Sequence, residues 1–226
     1  MKKRTKNLKM ISTRNSDFPH LLVLASASPR RSELLIGAGA GFLVLPSDAD
    51  EQADPSLSAK ELVKLLSARK AEATAALWGD TLPDGILVLA ADTVVEAPDG
   101  KILGKPASKE DAYAMLSSLS GKRHYVYSGF TLLWKGGVYT EAVASGVCFK
   151  PLTDKEIFDY IATGEPMDKA GSYAIQGLGG ALTEGYEGDF TNIVGLPMDA
   201  LEKAVASLFE KSLSDFSAAT PPTLIQ

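Results

Sequence analysis

Cysteine occurs once in these 226 residues, at Cys148, and histidine twice, at His20 and His124. One thiol excludes an intramolecular disulfide, and one thiol with two imidazoles cannot assemble a zinc cluster or a thiol–disulfide pair. A reducing, intracellular setting is the expectation. Long apolar runs are also missing: none approaches the roughly 18 to 20 residues needed to cross a bilayer, and no signal-peptide cleavage site follows the short run Leu21–Ala25. The chain therefore reads as cytoplasmic, with no membrane partner. Basic charge is scarce except at one end. The first twenty residues hold Lys2, Lys3, Arg4, Lys6, Lys9 and Arg14 against Asp17 alone, which leaves 17 basic and 27 acidic residues for the rest. That acidic body disfavours a nucleic-acid surface. Residues 1–20 read as a solvated, disordered extension; an organellar transit segment or an anionic contact are the alternatives.

What is present is apolar material enough for one sizeable core or two small lobes, 45% hydrophobic against 23% charged. Leu21-Leu-Val-Leu-Ala25 is a continuous apolar run, the pattern of a strand buried on both faces. Ser28 as N-cap and Pro29 at the first helical position then open a helix that ends near Gly37 to Gly41. Phe42–Leu45 reads as a second strand, and Ser58–Trp78 as a helix with Leu62, Leu65, Leu66 and Ala73 on its apolar side. Ile86–Val95 is a strand that turns back at Pro98-Asp99-Gly100 into Lys101–Leu103. Ser108 caps a helix running to Leu119. Arg123–Trp134 and Val138–Phe149 read as a long antiparallel pair, Thr153–Thr163 as a helix with a Thr153/Glu156 capping box, and Pro197–Lys211 as the last helix. The fold expected is α/β, with a mixed, largely antiparallel central sheet and flanking helices. A single domain should span 21–211, and 212–226 should be frayed.

Four polar clusters interrupt this apolar framework. Ser26-Ala-Ser-Pro-Arg-Arg31 gathers hydroxyls, guanidiniums and free amides at a helix start, where the macrodipole favours an anion. Asp48, Asp50 and Glu51 crowd carboxylates into one loop, a hard-oxygen environment suited to Mg²⁺. Asp92, in Ala91-Asp-Thr-Val-Val95, is an acid within a strand that otherwise wants burial, so it should meet a metal, a lysine or a cleft. Lys105 lies between Gly104 and Pro106, and Lys70 adds a further cation. The fourth cluster runs from Gly164 to Gly177 and resumes at Gly188–Pro197. Its glycine density points to special backbone angles or a close approach.

These residues resemble Maf proteins. The resemblance rests on Leu24-Ala-Ser-Ala-Ser-Pro-Arg-Arg31, Ala91-Asp-Thr-Val-Val95, Gly104-Lys-Pro106, Gly164-Glu-Pro-Met-Asp-Lys-Ala-Gly171, Ile175-Gln-Gly177 and Val194-Gly-Leu-Pro197, in that order, and covers about residues 21–210. It implies a fold shared with inosine-triphosphate pyrophosphatases, two lobes around a nucleotide cleft, and a homodimer. It further implies a nucleoside triphosphate pyrophosphatase releasing pyrophosphate and a monophosphate from dTTP or UTP. Asp92 would then accept a proton from water, Glu51 and Asp92 would hold Mg²⁺ (or Mn²⁺), and Arg31, Lys70 and Lys105 would neutralise phosphate charge. Ser26 would join the phosphate cradle, and Arg30, Thr93 and Gln176 match positions tied to base choice. The alternatives are the sister branch acting on 7-methyl-GTP and a nucleotide-binding regulator of septum formation. Two departures stand out: Ser128-Gly-Phe130 replaces the family's usual Thr-Gly-Val, and Gln52 replaces a usual Thr. His124 falls where the family has a histidine and is read as structural.

Overall fold

The first strand, β1 (Leu21–Leu24), is buried along its whole length, as its unbroken apolar run requires. A computed structural model describes residues 19–217. Most of the expected basic extension, and residues 218–226, lie outside the described residues. β1 leads into α1 (Pro29–Gly37), and β2 (Phe42–Val44) follows; α2 (Ala59–Ala75) continues as a 3₁₀ turn to Trp78. Next come β3 (Ile86–Glu96), β4 (Ile102–Leu103), α3 (Lys109–Leu119), β5 (Arg123–Trp134) and β6 (Gly137–Phe149). α4 (Asp154–Ala162), β7 (Thr183–Glu187), α5 (Phe190–Val194) and α6 (Met198–Phe209) complete the chain. The capping box expected at Thr153/Glu156 forms, as does one at Ser58/Glu61 that starts α2.

One mixed sheet organises these elements in the order β2-β1-β3-β5-β6-β7, with β4 paired to β3. β2, β1 and β3 are parallel, whereas β3-β5, β5-β6 and β6-β7 are antiparallel. β1 pairs with β3 only as far as Leu24 opposite Leu89. Beyond that point β3 continues with one edge released, and Asp92 lies on this released stretch.

The pleat then decides which face each side chain takes. Leu87, Leu89 and Ala91 pack with α1 and α6, together with Leu35, Leu201 and Val205. Val88 and Ala90 point the other way, toward Ala71 of α2 and Trp78, and Val94 packs on Ala59 and Val63. Asp92 shares the α2 face; Thr93 shares the α1 face. A further core joins α3 and α4 to the far ends of β3, β5 and β6 and includes Leu116, Phe149, Ile157 and Tyr173, so a second lobe closes over the sheet's other end.

Two expectations need correction. The fraying expected from residue 212 does not hold for 212–217: Leu213 and Phe216 are buried in the α1/α6 core, because helix α6 leaves an apolar surface that they cover. The second glycine-rich segment, Gly188–Pro197, read as a structured loop, contains the short helix α5, and β7, an edge strand on β6, lies between the two segments.

Candidate active site

A cleft of about 1290 Å³ opens where β1 stops and β3 runs on, between the two lobes. Ser26, Arg30, Arg31, Glu51, Lys70, Asp92, Thr93, Lys105 and Gln176 all line it. Six basic side chains (Arg30, Arg31, Lys70, Lys101, Lys105, Lys169) face four acidic ones (Glu51, Asp54, Asp92, Asp168), in a chain whose net charge is −5. The cleft is thus a cationic enclave in an acidic protein, larger than the roughly 300–1,000 Å³ of common small-molecule pockets.

On the α2 face, the Lys70 ammonium lies between two carboxylates, 2.6 Å from Asp92 Oδ1 and 2.7 Å from Glu51 Oε1. Asp92 and Lys70 are largely covered, with side chains 12% and 14% exposed, whereas Glu51 is 65% exposed. Lys70 donates to Oδ1 of Asp92 only, leaving Oδ2 without a hydrogen bond among the described residues. The Lys70 hydrogen bond, reinforced by the charges of Lys105 and Arg31, holds the Glu51 carboxyl below its usual range against the opposing effect of burial. Arg69 ties the acidic loop to α2 by donating to the carbonyls of Asp50 (3.4 Å) and Gln52. The carboxylate cluster expected at Asp48, Asp50 and Glu51 does not converge. Asp48 and Asp50 are exposed, Asp50 accepts from the Gln52 amide, and only Glu51 reaches the cleft.

On the α1 face, Arg31 is held at three points: Nε donates to Gly195 O at 2.9 Å, Nη1 to Ser26 Oγ at 2.9 Å, and Nη2 to Thr93 Oγ1 at 3.3 Å. Burial lowers the Arg31 pKa, and the Asp92 charge works against that loss; a guanidinium so placed stays charged. Thr93 also shares a 2.8 Å hydrogen bond with Ser128 Oγ, so its hydroxyl is committed to this cluster. Ser28 stands at the N-cap of α1 with Pro29 opening the helix, as expected, but its side chain makes no cap bond. The Ser28 amide instead donates to Ser26 Oγ at 3.3 Å; with Pro29 lacking an N–H and the Ser32 amide on Ser28 O, the Arg30 and Arg31 amides are the ones left for an anion.

Behind this shelf lies a buried network. Ser128 Oγ donates to Asn192 O (2.8 Å), Ser128 N donates to Asn192 Oδ1 (3.1 Å), and Asn192 Nδ2 donates to Val126 O (3.0 Å) and Ser145 Oγ (2.9 Å). Every polar group of the Asn192 amide is thereby used, and α5 is fixed to β5 and β6 along with the Gly195 carbonyl that anchors Arg31. Gly195 takes φ +125°, a conformation in which other residues are strained.

Sequence reasoning did not single out Asn192, Glu165, Tyr160 or Lys169, although Glu165 and Lys169 lie within the quoted Gly164–Gly171 motif. Lys169 lines the cleft, paired with Asp168. Its signal was its place between glycines in a loop. His124 stays outside the cleft: it is fully buried, 2.9 Å from Tyr173 Oη, and burial lowers its pKa to about 4, so it is neutral near pH 7.

Fold and cleft together define a class: an α/β protein with a mixed sheet whose parallel-to-antiparallel junction carries a lysine-bridged carboxylate pair inside a cleft lined mainly by basic side chains. A family model described as Maf-like protein matches residues 21–208, and the chain belongs to that family. It is similar to a "dTTP/UTP pyrophosphatase" of Desulfitobacterium hafniense (strain Y51), 45% identical with 87% of this chain and 89% of that protein covered. Proteins of the same name from Geobacillus sp. (strain WCH70) and Citrifermentans bemidjiense are 46% and 48% identical, covering 83% and 78% of this chain and 97% and 90% of theirs. Among solved structures, the Staphylococcus aureus Ham1 protein matches with a TM-score of 0.37 at 14% identity, over 57% of this chain and 72% of that one. No helix among the described residues is long and apolar enough to cross a membrane.

Proposed function

We propose that this chain hydrolyses dTTP and UTP to the nucleoside monophosphate and pyrophosphate. The observation that carries the reading is the Lys70 ammonium set between Glu51 and Asp92 at the wall of a cationic cleft. The family relationship and the names of the similar proteins support the choice of substrate.

In this reading the triphosphate enters over the open amides of α1, with Ser26, Arg31 and Lys105 opposing its charge. Water attacks the α-phosphorus, the bond to the bridging oxygen of the β-phosphate breaks, and pyrophosphate leaves with that oxygen. Asp92 takes the proton from the water; its free Oδ2 suits that role. Lys70 holds Oδ1 of Asp92 in place and faces the charge that develops on phosphate.

The side chains also fit a divalent cation, Mg²⁺ or in its place Mn²⁺. Among the described residues no group of three or more His, Cys, Asp or Glu could hold an ion. Glu51 and Asp92, whose carboxylates converge on Lys70, would instead offer such an ion two hard oxygen ligands. Glu51 and Asp92 would hold it, and it would supply charge neutralisation at the phosphates. Thr93 being committed to Arg31, base choice falls to Gln176, whose amide has no hydrogen bond among the described residues, and to Arg30. A uracil or thymine edge offers a carbonyl, a ring N–H and a second carbonyl, which an amide meets as donor and acceptor. A cytoplasmic setting and a homodimer accompany this reading, and sedimentation of the purified chain checks the latter.

The test is pyrophosphate release from a panel of nucleoside triphosphates with Mg²⁺. dTTP and UTP should lead, and Asp92→Asn should lower turnover at least about a thousandfold while nucleotide still binds. Undiminished release by Asp92→Asn would remove the mechanism. Preference for 7-methyl-GTP would move the chain to the sister branch, and binding without turnover would favour a regulator.

A further inference from the structure

We infer that Glu165, backed by Tyr160, is the positioning residue that sets base selection by holding the segment that carries Gln176; this rests on the substrate reading above. Glu165 sits in the turn after α4, preceded by Gly164 at φ +78°. Its carboxylate faces back into the glycine-rich segment rather than outward. Oε1 accepts from Tyr160 Oη at 2.8 Å and from the Gly179 amide at 3.0 Å, and Oε2 accepts from the Leu178 amide at 3.0 Å. Tyr160 Oη in turn accepts from the Ala174 amide at 3.1 Å. The stretch from Ala174 to Gly179 is therefore pinned at three amides by one acid–phenol pair, and Gln176 stands in the middle of it.

The glycines of this stretch follow from the clamp. A Cβ on Gly177 would lie 2.5 Å from Glu165 Oε2, and one on Gly179 would lie 2.6 Å from Tyr160 Oη. Neither could be accommodated without breaking the clamp, so the density of glycine here answers to the approach of backbone to Glu165 and Tyr160. The Gln176 side chain is exposed and lines the cleft. With no side-chain hydrogen bond of its own among the described residues, it takes its position from the backbone alone, and the backbone takes its position from Glu165. Burial alone would raise the Glu165 pKa; the Gly179 and Leu178 amides and the Tyr160 hydroxyl outweigh it and keep the acid ionised, the form that accepts from all three.

The electrostatic neighbours agree. The charge of Arg30 reaches both Tyr160 and Asp168, and Arg30 and Gln176 both line the cleft. Selection of the base and anchoring of the phosphates are thus assigned to different supports: the first to the α4 side through Glu165, the second to β3 and α5 through Thr93 and Asn192.

The experiment compares wild type with Glu165→Gln, Tyr160→Phe, Gln176→Ala and the double variant Glu165→Gln/Gln176→Ala. Glu165→Gln should raise KM for dTTP about tenfold and narrow the preference for dTTP over CTP by a similar factor, with kcat within about threefold of wild type. Tyr160→Phe, which keeps the ring and removes the hydroxyl's two hydrogen bonds while leaving Glu165 on the Leu178 and Gly179 amides, should shift both in the same direction by less. The double variant should match Gln176→Ala in base preference, since the clamp acts through that amide. Hydrogen exchange at the Leu178 and Gly179 amides should speed up in Glu165→Gln, a readout that needs no substrate. A collapse of kcat with KM and base ranking unchanged would overturn the assignment, as would additive effects in the double variant. If Glu165→Gln fails to fold, Tyr160→Phe decides, and unchanged KM and ranking there would refute the clamp. Absence of pyrophosphate release by wild type would instead remove the functional reading; calorimetric binding preference between dTTP and CTP then tests the clamp by the same comparison.

Discussion

Lys70 is the side chain on which the centre turns. It serves two carboxylates with one ammonium, so replacing it exposes Asp92 and Glu51 to each other as well as removing a cation from the phosphate path. Lys70→Met should cut kcat/KM for dTTP by at least about a hundredfold. The pH dependence has a definite sign. Glu51 titrates below its ordinary range because of the Lys70 hydrogen bond, so the pair stabilises the fold above the unfolded-state carboxyl pKa, and that contribution fades as pH falls through the depressed value. Lys70→Met should therefore shift the acid limb of kcat/KM upward, toward ordinary carboxylate values; a pH–rate profile of both proteins checks it, and coincident acid limbs would contradict the pairing. At this scale the sequence was most legible where a residue broke a pattern. Asp92 stood out because an acid inside an apolar strand needs a partner, and Lys70 is that partner. Asn192 and Glu165 did not stand out, because a buried amide in a five-residue helix and a half-buried acid in a short turn break no period; only the placement of their hydrogen-bond partners reveals what they do.

Delivery of Lys70 depends on how closely α2 approaches the sheet. Gly129 on β5 lies under that helix, and a Cβ there would be 2.5 Å from the Val63 carbonyl and 3.0 Å from the Lys64 amide. Those are backbone atoms, which cannot swing aside. Gly129→Ala should therefore push α2 outward, costing about 1–3 kcal/mol by overpacking, and should weaken turnover by lifting Lys70 from Asp92. Urea denaturation and the dTTP assay on the same preparation check both effects; unchanged stability would mean that the helix has room to shift. Long elements such as α2, β3, β5 and β6 were readable from their apolar periods and caps. β7 was not, since Thr183–Glu187 is a sheet edge covered only in part, and such a strand has no apolar alternation to betray it. α5 is only five residues long, less than the span over which a helical period shows.

Across the whole molecule, charge is segregated rather than balanced: a chain of net charge −5 concentrates six basic and four acidic groups around one cleft. Composition and periodicity showed an acidic body and scattered lysines and arginines; the resemblance implied that Arg31, Lys70 and Lys105 act together, but Lys101 and Lys169 were not expected beside them, because the segments that carry these cations are joined only by the fold. A polyanionic substrate should be drawn into this enclave by a field that salt screens, with a Debye length falling from about 10 Å at 0.1 M to about 3 Å at 1 M ionic strength. The acidic exterior repels the same substrate, so the cleft's attraction operates mainly at short range. KM for dTTP should accordingly rise severalfold between about 0.05 and 0.5 M KCl. The change in kcat should be much smaller, because Lys70, Asp92 and Arg31 are largely covered and already hydrogen-bonded to fixed partners, where screening is weak. Steady-state kinetics over that salt range, with Mg²⁺ held in excess, separate the two parameters. A KM that stays flat, or falls as apolar contacts strengthen with salt, would show that base stacking and burial, rather than the cationic lining, dominate capture of the nucleotide.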